Sequence, residues 1–278
     1  NAGRSVRPEV FDGIGAFWQE IDAVYIASPH GTHYSYIMQA LGHGKHVLCE
    51  KPMVLSSEEA QEAFLAAKNR GLVLMEAVKT AYCPGYKKLL EAAASGVIGE
   101  VKYIESRFTK LEDPDKRELT DTECGGSFTE LGSYACLPVL DLLGSGYNGV
   151  RFSRINNDKG IDIFTKAEFT YADRFAAAVC GLGVKAEGSL MVSGTKGYIK
   201  ADAPWWKTGH FEVHFEDPAK AIPYDEEFEG DGLRYEISEF VRRIKTVSFD
   251  DKYNSNDEMR AVCMADLMEE SLKGRGRF

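Results

Sequence analysis

Gly44-Lys45-His46-Val47-Leu48-Cys49-Glu50-Lys51-Pro52 is the stretch of this 278-residue chain that decides its fold. It is a short apolar run that ends in Glu-Lys-Pro, and a second apolar run, Ala23 to Ala27, precedes it by about twenty residues. Two such runs separated by a helical pattern predict parallel strands joined by a helical crossover. Lys51 then lies at the carboxyl end of the second strand, where ligands bind in open α/β sheets.

The alternation of strands and helices continues on both sides of this stretch. Helices are predicted over 14–20, 32–41 and 56–69, and strands over 9–11 and 72–75. Glycines end the second and third helices, and Ser56 can cap the third. The pattern is typical of one half of a doubly wound, Rossmann-type parallel sheet, so residues 1–83 are assigned to a dinucleotide-binding domain.

Residues 84–278 have a different pattern. Short segments with alternating apolar and polar residues predict a mostly antiparallel sheet, which makes the fold class α/β followed by α+β. A helix over 127–143 interrupts the strands, and two helices follow them near 233–246 and 256–272. We assign this part to substrate binding and oligomerisation, because a sheet with helices on one face leaves the other face for self-association. A homodimer or homotetramer is expected.

The composition limits the partners of the protein. The net charge is −10 and the pI is about 5.2, so binding to nucleic acid or to an anionic membrane is not expected. No apolar run approaches the ~20 residues that span a bilayer. The six cysteines are scattered, which is typical of reduced thiols in a cytoplasmic protein. The expected partner is a small-molecule substrate.

Two glycine patterns suggest a phosphate-binding loop, but neither has the required context. Gly13-Ile14-Gly15 follows only a very short strand, and Gly181-Leu182-Gly183 has strand-like segments on both sides. The fingerprint binds a pyrophosphate only where it opens a helix after a strand. A hairpin turn is the better account of the second pattern.

Several motifs in order resemble the Gfo/Idh/MocA family of NAD(P)-dependent oxidoreductases. They are Ser28-Pro29-His30-Gly31-Thr32-His33, Gly44-Lys45-His46-Val47, Glu50-Lys51-Pro52, Gly96 to Glu100 and Gly125 to Tyr134. Two later motifs, Gly194 to Ile199 and Pro204 to Lys207, are similar to the dihydrodiol dehydrogenase-like branch. The resemblance implies hydride transfer between NAD or NADP and a hydroxyl or carbonyl of a sugar, polyol or cyclic diol.

The resemblance also implies a set of site residues. Lys51 would stabilise negative charge on the reacting oxygen, and Tyr134 would donate or accept a proton. An unperturbed tyrosine has a pKa near 10, so nearby Lys51 would have to lower the pKa of Tyr134 for it to act near neutrality. Glu130 would orient one of these two; it lies four residues from Tyr134, so the two side chains share one side of a helix. The residues expected to bind the cofactor are Ser28, Pro29, His30, His33, Glu50 and Lys51.

Some positions depart from the family pattern. His30 replaces an Asn, Glu130 replaces an Asp, and Lys79 and Ala81 replace a Trp and an Arg. These departures leave open an alternative, a non-catalytic or truncated family member that acts as a ligand-binding sensor. No metal site is expected, because His210, Glu212 and His214 alternate on one strand face without a further ligand, which favours a polar outer face.

The resemblance makes Ala23 to Ala27 the fourth strand of a complete dinucleotide-binding sheet. The first two strands, with the glycine-rich turn, have no counterpart in this sequence, which corresponds to at least roughly 30 residues. Two explanations are open: those residues exist outside this sequence, which we favour, or the chain is a truncated form. The choice between NAD and NADP depends on that segment.

Overall fold

The computed structural model describes residues 14–246 and 255–274 and contains two sheets covered by helices. The strand predicted over 9–11 lies outside the described residues. The first sheet has three parallel strands in the order β1-β2-β3. Its elements alternate along the chain: α1 (Ile14–Glu20), β1 (Ala23–Ile26), α2 (His33–Gly42), β2 (His46–Glu50), α3 (Ser57–Asn69) and β3 (Leu74–Ala77).

The central strand β2 is covered on both of its faces. Val47 and Cys49 belong to one apolar cluster, whereas Leu48 belongs to another with Phe240, which comes from a helix late in the chain. Because successive side chains of a strand point to opposite faces, a strand buried on both faces needs a continuous apolar run. The predicted parallel Rossmann-type sheet is confirmed.

The second sheet has eight strands in the order β11-β10-β9-β8-β4-β7-β6-β5. All neighbouring pairs are antiparallel except β4 and β7, which are parallel. The mostly antiparallel sheet is therefore confirmed. Its strands are β4 (Val101–Thr109), β5 (Gly149–Asn156), β6 (Asp162–Thr170), β7 (Phe175–Gly181), β8 (Leu190–Gly194), β9 (Tyr198–Ala201), β10 (His210–His214) and β11 (Ile222–Asp225).

The remaining helices follow the first sheet or lie against the second. They are α4 (Pro84–Ala94), α5 (Arg117–Thr120), α6 (Ser127–Ala135), α7 (Leu137–Leu143), α8 (Leu233–Lys245) and α9 (Ser255–Lys273). The single helix predicted over 127–143 is wrong, because it divides at Cys136. Pro138 has no N–H for the carbonyl of Tyr134, so the helical hydrogen-bond ladder stops there.

Three further details differ from the sequence analysis. Strand β11 and the short helix α5 were not predicted. The hairpin expected at Gly181 is also wrong, because β4 lies between β7 and β8 in the sheet. Among the described residues, no helix is both long and apolar enough to cross a membrane.

The C-terminal helices return to the first sheet. Ala261 and Ala265 of α9 share an apolar cluster with Ala60 and Ala63 of α3. Residues assigned to the second domain therefore complete the core around the first sheet. The division of the chain at residue 83 stays a prediction.

Candidate active site

The chain turns sharply after β2, and two buried side chains hold this turn. The Lys51–Pro52 peptide bond is cis. The carbonyl oxygen of Pro52 lies 2.9 Å from Nδ1 of His33, and the N–H of Met53 donates to Glu76 at 3.1 Å. Both His33 and Glu76 are buried, so the backbone that carries Lys51 is fixed from the interior.

His33 has a second bond that joins this turn to the end of β1. Its Nε2 lies 2.8 Å from the carbonyl oxygen of Ser28, and the ring has no exposed surface. Both ring nitrogens therefore lie within hydrogen-bonding distance of backbone carbonyl oxygens. The ring atoms of His33 are enclosed and already bonded, and the assignment of His33 to the cofactor site stays a prediction.

Helix α6 carries Glu130 and Tyr134, and its N-terminus is firmly anchored. The buried carboxylate of Asp162 accepts from the N–H of Phe128 at 2.8 Å, which places a negative charge at the positive end of the helix. Gly126, with φ +112°, precedes the helix. A Cβ on Gly125 would lie 2.5 Å from the Asp121 carbonyl oxygen, so the Gly-Gly pair is required for this close approach.

Lys51, which follows β2 of the first sheet, contacts Glu130 of helix α6. Nζ of Lys51 donates to the Glu130 carboxylate at 2.8 Å and to the Glu130 backbone carbonyl at 2.9 Å. Nε2 of His30 lies 3.5 Å from the other carboxylate oxygen. Burial lowers the pKa of His30 to about 4, although the charge of Glu130 acts to raise it. At neutral pH His30 is therefore uncharged, and Lys51 is the charged partner of Glu130.

Tyr134 completes this group. Nζ of Lys51 lies 5.9 Å from the centroid of the Tyr134 ring, and the side chain is nearly enclosed. Burial raises the pKa of the Tyr134 hydroxyl well above its usual value, and the charges of Glu50 and Glu236 raise it further. The expected lowering of this pKa by Lys51 is wrong, because burial and nearby carboxylates dominate.

Polar groups line the ends of β1 and β2 beside Lys51. Oγ1 of Thr32 lies 2.7 Å from Oγ of Ser28 and 2.7 Å from the carbonyl oxygen of Pro29. The hydroxyl of Tyr25 donates to Glu50, whose other carboxylate oxygen accepts from the backbone N–H of Lys51 at 3.2 Å. Ser28, Pro29 and Glu50 therefore lie at the same sheet edge as the catalytic candidates.

Three further residues of this site, Tyr25, Glu76 and Glu236, were not predicted from the sequence. Glu236 lies in the first turn of α8 and shares its buried side with Phe240 and Arg243. The spacing 236, 240, 243 places all three on one helix face. A carboxylate on a face that is otherwise buried could therefore have been predicted as a functional residue from the sequence. Tyr25 was the one hydroxyl within the apolar run of β1.

An aromatic wall adjoins Tyr134. Its ring lies 5.3 Å from the ring of Phe108, which stacks on Trp206 at 3.7 Å between centroids with the ring planes 8° apart.

His210, Glu212 and His214 lie apart from this site, on β10, where His210 bonds Asp225 and His214 approaches Glu212. Within residues 14–246 and 255–274, no three His, Cys, Asp or Glu side chains form a group able to hold a metal ion.

Comparison with known proteins places this arrangement in a family. Residues 3–78 match the model of an oxidoreductase family with an NAD-binding Rossmann fold. The scyllo-inositol 2-dehydrogenase (NADP(+)) IolU of Bacillus subtilis (strain 168) is 30% identical over 267 residues, covering 92% of this chain and 78% of that protein. The chain belongs to the Gfo/Idh/MocA oxidoreductase family. As a member it is an NAD(P)-dependent oxidoreductase, and the non-catalytic alternative is not favoured.

Other relatives agree with this assignment. The trans-1,2-dihydrobenzene-1,2-diol dehydrogenase of Sus scrofa is 28% identical over 265 residues, covering 92% of this chain and 78% of that protein. The aldose-aldose oxidoreductase of Caulobacter crescentus, complexed with glycerol, superposes with a TM-score of 0.79 at 18% identity, covering 94% of this chain and 81% of that chain. KijD10, a 3-ketoreductase from Actinomadura kijaniata in complex with NADP and TDP-benzene, superposes with a TM-score of 0.77 at 22% identity over 93% and 80% of the two chains. These two structures support the fold.

Proposed function

We propose that this enzyme interconverts a hydroxyl and a carbonyl group on a sugar, polyol or cyclic diol, with Lys51, Tyr134 and Glu130 around the reacting oxygen. The observation that carries the proposal is the meeting of Lys51 with Glu130 and the Tyr134 ring at the carboxyl end of β2. Relatives named for an inositol and for a dihydrodiol support this substrate class.

The residues at the sheet edge fit the ribose and nicotinamide end of NAD(P). Hydroxyl groups of Ser28 and Tyr25 and the carboxylate of Glu50 are suitable partners for ribose hydroxyls. Pro29 and His30 would border this part of the cofactor, and His33 would act indirectly by holding the Ser28 carbonyl. Bound NAD(P) supplies the hydride chemistry.

Lys51 provides the electrostatic part of the mechanism. Its ammonium group is buried and already oriented by two bonds to Glu130, so little reorganisation is needed when charge develops on the substrate oxygen. Nζ has three donors, and Glu130 engages two of them. The third is available for the substrate oxygen.

Tyr134 provides the proton. Because its pKa is raised, the phenol is protonated at neutral pH, so the proton is present when carbonyl reduction begins. In carbonyl reduction the phenol proton passes to the carbonyl oxygen, which becomes the hydroxyl, and Tyr134 regains a proton from water. In alcohol oxidation the proton moves in the opposite direction.

The aromatic wall favours a cyclic substrate. Phe108 and Trp206 extend from Tyr134 as stacked rings, and a flat apolar surface suits the C–H face of a ring that carries hydroxyls on its edge. The wall therefore supports cyclic polyols and sugars over linear ones.

We also propose that the protein is cytoplasmic and forms a homodimer or homotetramer. All six cysteines are free thiols, which suits a reducing compartment. Phe175 of β7 and Ile155 of β5 are each more than half exposed, which suits a sheet that pairs with a second copy. Light scattering during size-exclusion chromatography would test the assembly.

The test of the proposed function is a substrate screen with the natural full-length protein. Sugars, inositols and cyclic diols are offered with NAD or NADP, and formation of the reduced cofactor is followed by its absorbance. We expect turnover with cyclic polyols, and a large loss of turnover in Lys51→Met but not in the surface control Lys87→Met. No turnover with any substrate, together with no thermal stabilisation by any cofactor form, would refute the proposal.

A further inference from the structure

Glu236 is a buried carboxyl group without hydrogen-bond partners. Its side chain is 1% exposed, and neither carboxylate oxygen bonds any group in the described part of the chain. A buried polar group without partners costs stability, so its presence requires an explanation. The mechanism proposed above does not use it.

The surroundings of Glu236 place it at the site. Helix α8 packs against β2 and against the short 3-10 helix Lys79–Tyr82. A Cβ on Gly232, which precedes α8, would lie 3.5 Å from Sγ of Cys83 and 3.6 Å from Cδ of Lys79. The titratable groups within electrostatic reach of Glu236 come from four elements or their ends: Glu50, Lys79, Cys83, Tyr25 and Tyr134.

The charged groups that act on Glu236 are Glu50 and Lys79, with opposite effects. Lys51 is paired with Glu130, and Asp231 is paired with Lys207 at 2.9 Å. Burial, and then the charge of Glu50, raise the pKa of Glu236 to about 8, while Lys79 opposes the rise. With no cofactor bound, Glu236 holds a proton at neutral pH.

The two cofactor forms differ in charge at one place. The oxidised nicotinamide ring is positively charged, and the reduced ring is neutral. Hydride transfer requires this ring to lie beside the carbon whose oxygen is held by Lys51 and Tyr134. Glu50 and Glu236 both raise the pKa of Tyr134, so a positively charged ring beside the Tyr134 hydroxyl would lie within the field of both carboxyl groups.

We propose that Glu236 is a further residue of the cofactor site whose carboxyl group ionises when the oxidised nicotinamide ring binds, so that the site distinguishes the oxidised from the reduced cofactor by charge. Binding of NAD⁺ or NADP⁺ then releases a proton, and binding of the reduced forms does not. The inference rests on the proposed function, because it requires that the chain bind NAD(P).

Proton release links affinity to pH with a defined sign. Between the pKa of Glu236 in the complex and its higher pKa in the free protein, ionisation is part of the binding step, so affinity for the oxidised form rises with pH. Above that pKa the group is already ionised, and the dependence stops. If the ring charge lowers the pKa by about one unit, the affinity changes by roughly tenfold across this window.

The test measures the dissociation constants of the oxidised and reduced forms of one cofactor at about pH 6 and about pH 9 with the natural full-length protein. Their ratio cancels contributions from the adenosine half, which is identical in both forms. We expect the ratio to shift roughly tenfold toward the oxidised form at the higher pH. The matched variants are Glu236→Gln, which should remove most of this shift, and the exposed control Glu227→Gln, which should keep it.

Calorimetry in two buffers of different ionisation enthalpy supplies a second measurement on the unaltered protein. We expect proton release with the oxidised form and little with the reduced form near neutral pH. A pH-independent ratio without proton release, or an unchanged shift in a folded Glu236→Gln variant, would overturn this inference alone. Failure of both cofactor forms to bind would refute the proposed function as well.

Discussion

The ammonium group of Lys51 lies 2.8 Å from the carboxylate of Glu130, which follows it by 79 residues in the chain. The same ammonium group also bonds the backbone carbonyl of Glu130. One residue of α6 therefore orients Lys51 through its backbone and its side chain together. Glu130 departs from the family's Asp by one methylene, and the longer side chain spans this distance.

Replacement of Lys51 tests the electrostatic role. Lys51→Met should lower kcat by about 10²- to 10³-fold, as loss of a preorganised charge does elsewhere. Stability should change by only ~1 kcal/mol, because the Glu130 side chain is about one-quarter exposed and can be hydrated. Steady-state kinetics and urea unfolding check both results, with Lys87→Met as control. Comparable losses of activity and stability would contradict a catalytic role.

Changes at Glu130 separate its charge from its length. Glu130→Gln keeps an acceptor but loses the charge, and Glu130→Asp keeps the charge but withdraws it from Nζ. Each should lower kcat by roughly tenfold, since a hydrogen bond to a charged group contributes about 1.5–3 kcal/mol. The exposed Glu123→Gln is the matched control. Wild-type kcat in both variants would show that the backbone carbonyl alone orients Lys51.

Tyr134→Phe tests proton transfer. The change removes the hydroxyl but keeps the ring beside Phe108, so kcat should fall by about 10²- to 10⁴-fold with little loss of stability. Because the pKa of Tyr134 is raised, its ionisation should not limit carbonyl reduction between about pH 6 and 9. A decline across that range that vanishes in Tyr134→Phe would contradict this prediction.

Glu76 is expected to act as a positioning residue for the Lys51 turn. Glu76→Leu leaves the buried N–H of Met53 without an acceptor, which costs about 1–3 kcal/mol and shifts the turn. Glu76→Gln retains an acceptor oxygen. We therefore expect kcat to fall roughly tenfold in the Leu variant, with KM less affected, and to recover in the Gln variant. Equal kcat values in the two variants would argue against positioning by this bond.

Glu236 should make stability depend on pH even without a cofactor. Its pKa is about 8 in the folded protein against 4.5 for the unperturbed group, so the folded state holds a proton that the unfolded state has released. Stability therefore falls as pH rises from about 4.5 to about 8 and levels off above. Glu236→Gln should be more stable than the parent at about pH 9, by a few kcal/mol, and similar near pH 5. Urea unfolding at both pH values measures the difference; parallel curves would contradict it.

Much of the fold was predictable because local patterns determine it. The apolar run Val47 to Cys49 predicted a strand that is buried on both faces. Glu50-Lys51-Pro52, at the end of that strand, predicted which edge of the sheet carries the site. The parallel pairing of β4 with β7 was not predictable, since no local pattern specifies a neighbour about seventy residues away. The break at Cys136 was predictable from Pro138.

The residues of the candidate site could be predicted from the sequence, but their pKa values could not. Motifs brought Lys51, Glu130 and Tyr134 to attention, and the structure brings the three together. Burial and neighbouring charge decide the pKa values of His30 and Tyr134, and neither can be read from spacing. The enclosure of the His33 ring, whose two nitrogens lie close to carbonyl oxygens in the interior, could not be read from spacing either.

Helix α9 lies late in the chain yet covers residues near its beginning. During synthesis Ala60 and Ala63 emerge long before Ala261 and Ala265, their partners in the first core. The part of the first core that Ala60 and Ala63 form therefore stays uncovered by α9 until the C-terminal residues have been synthesised. A chain that ends before α9 would expose this apolar surface to solvent.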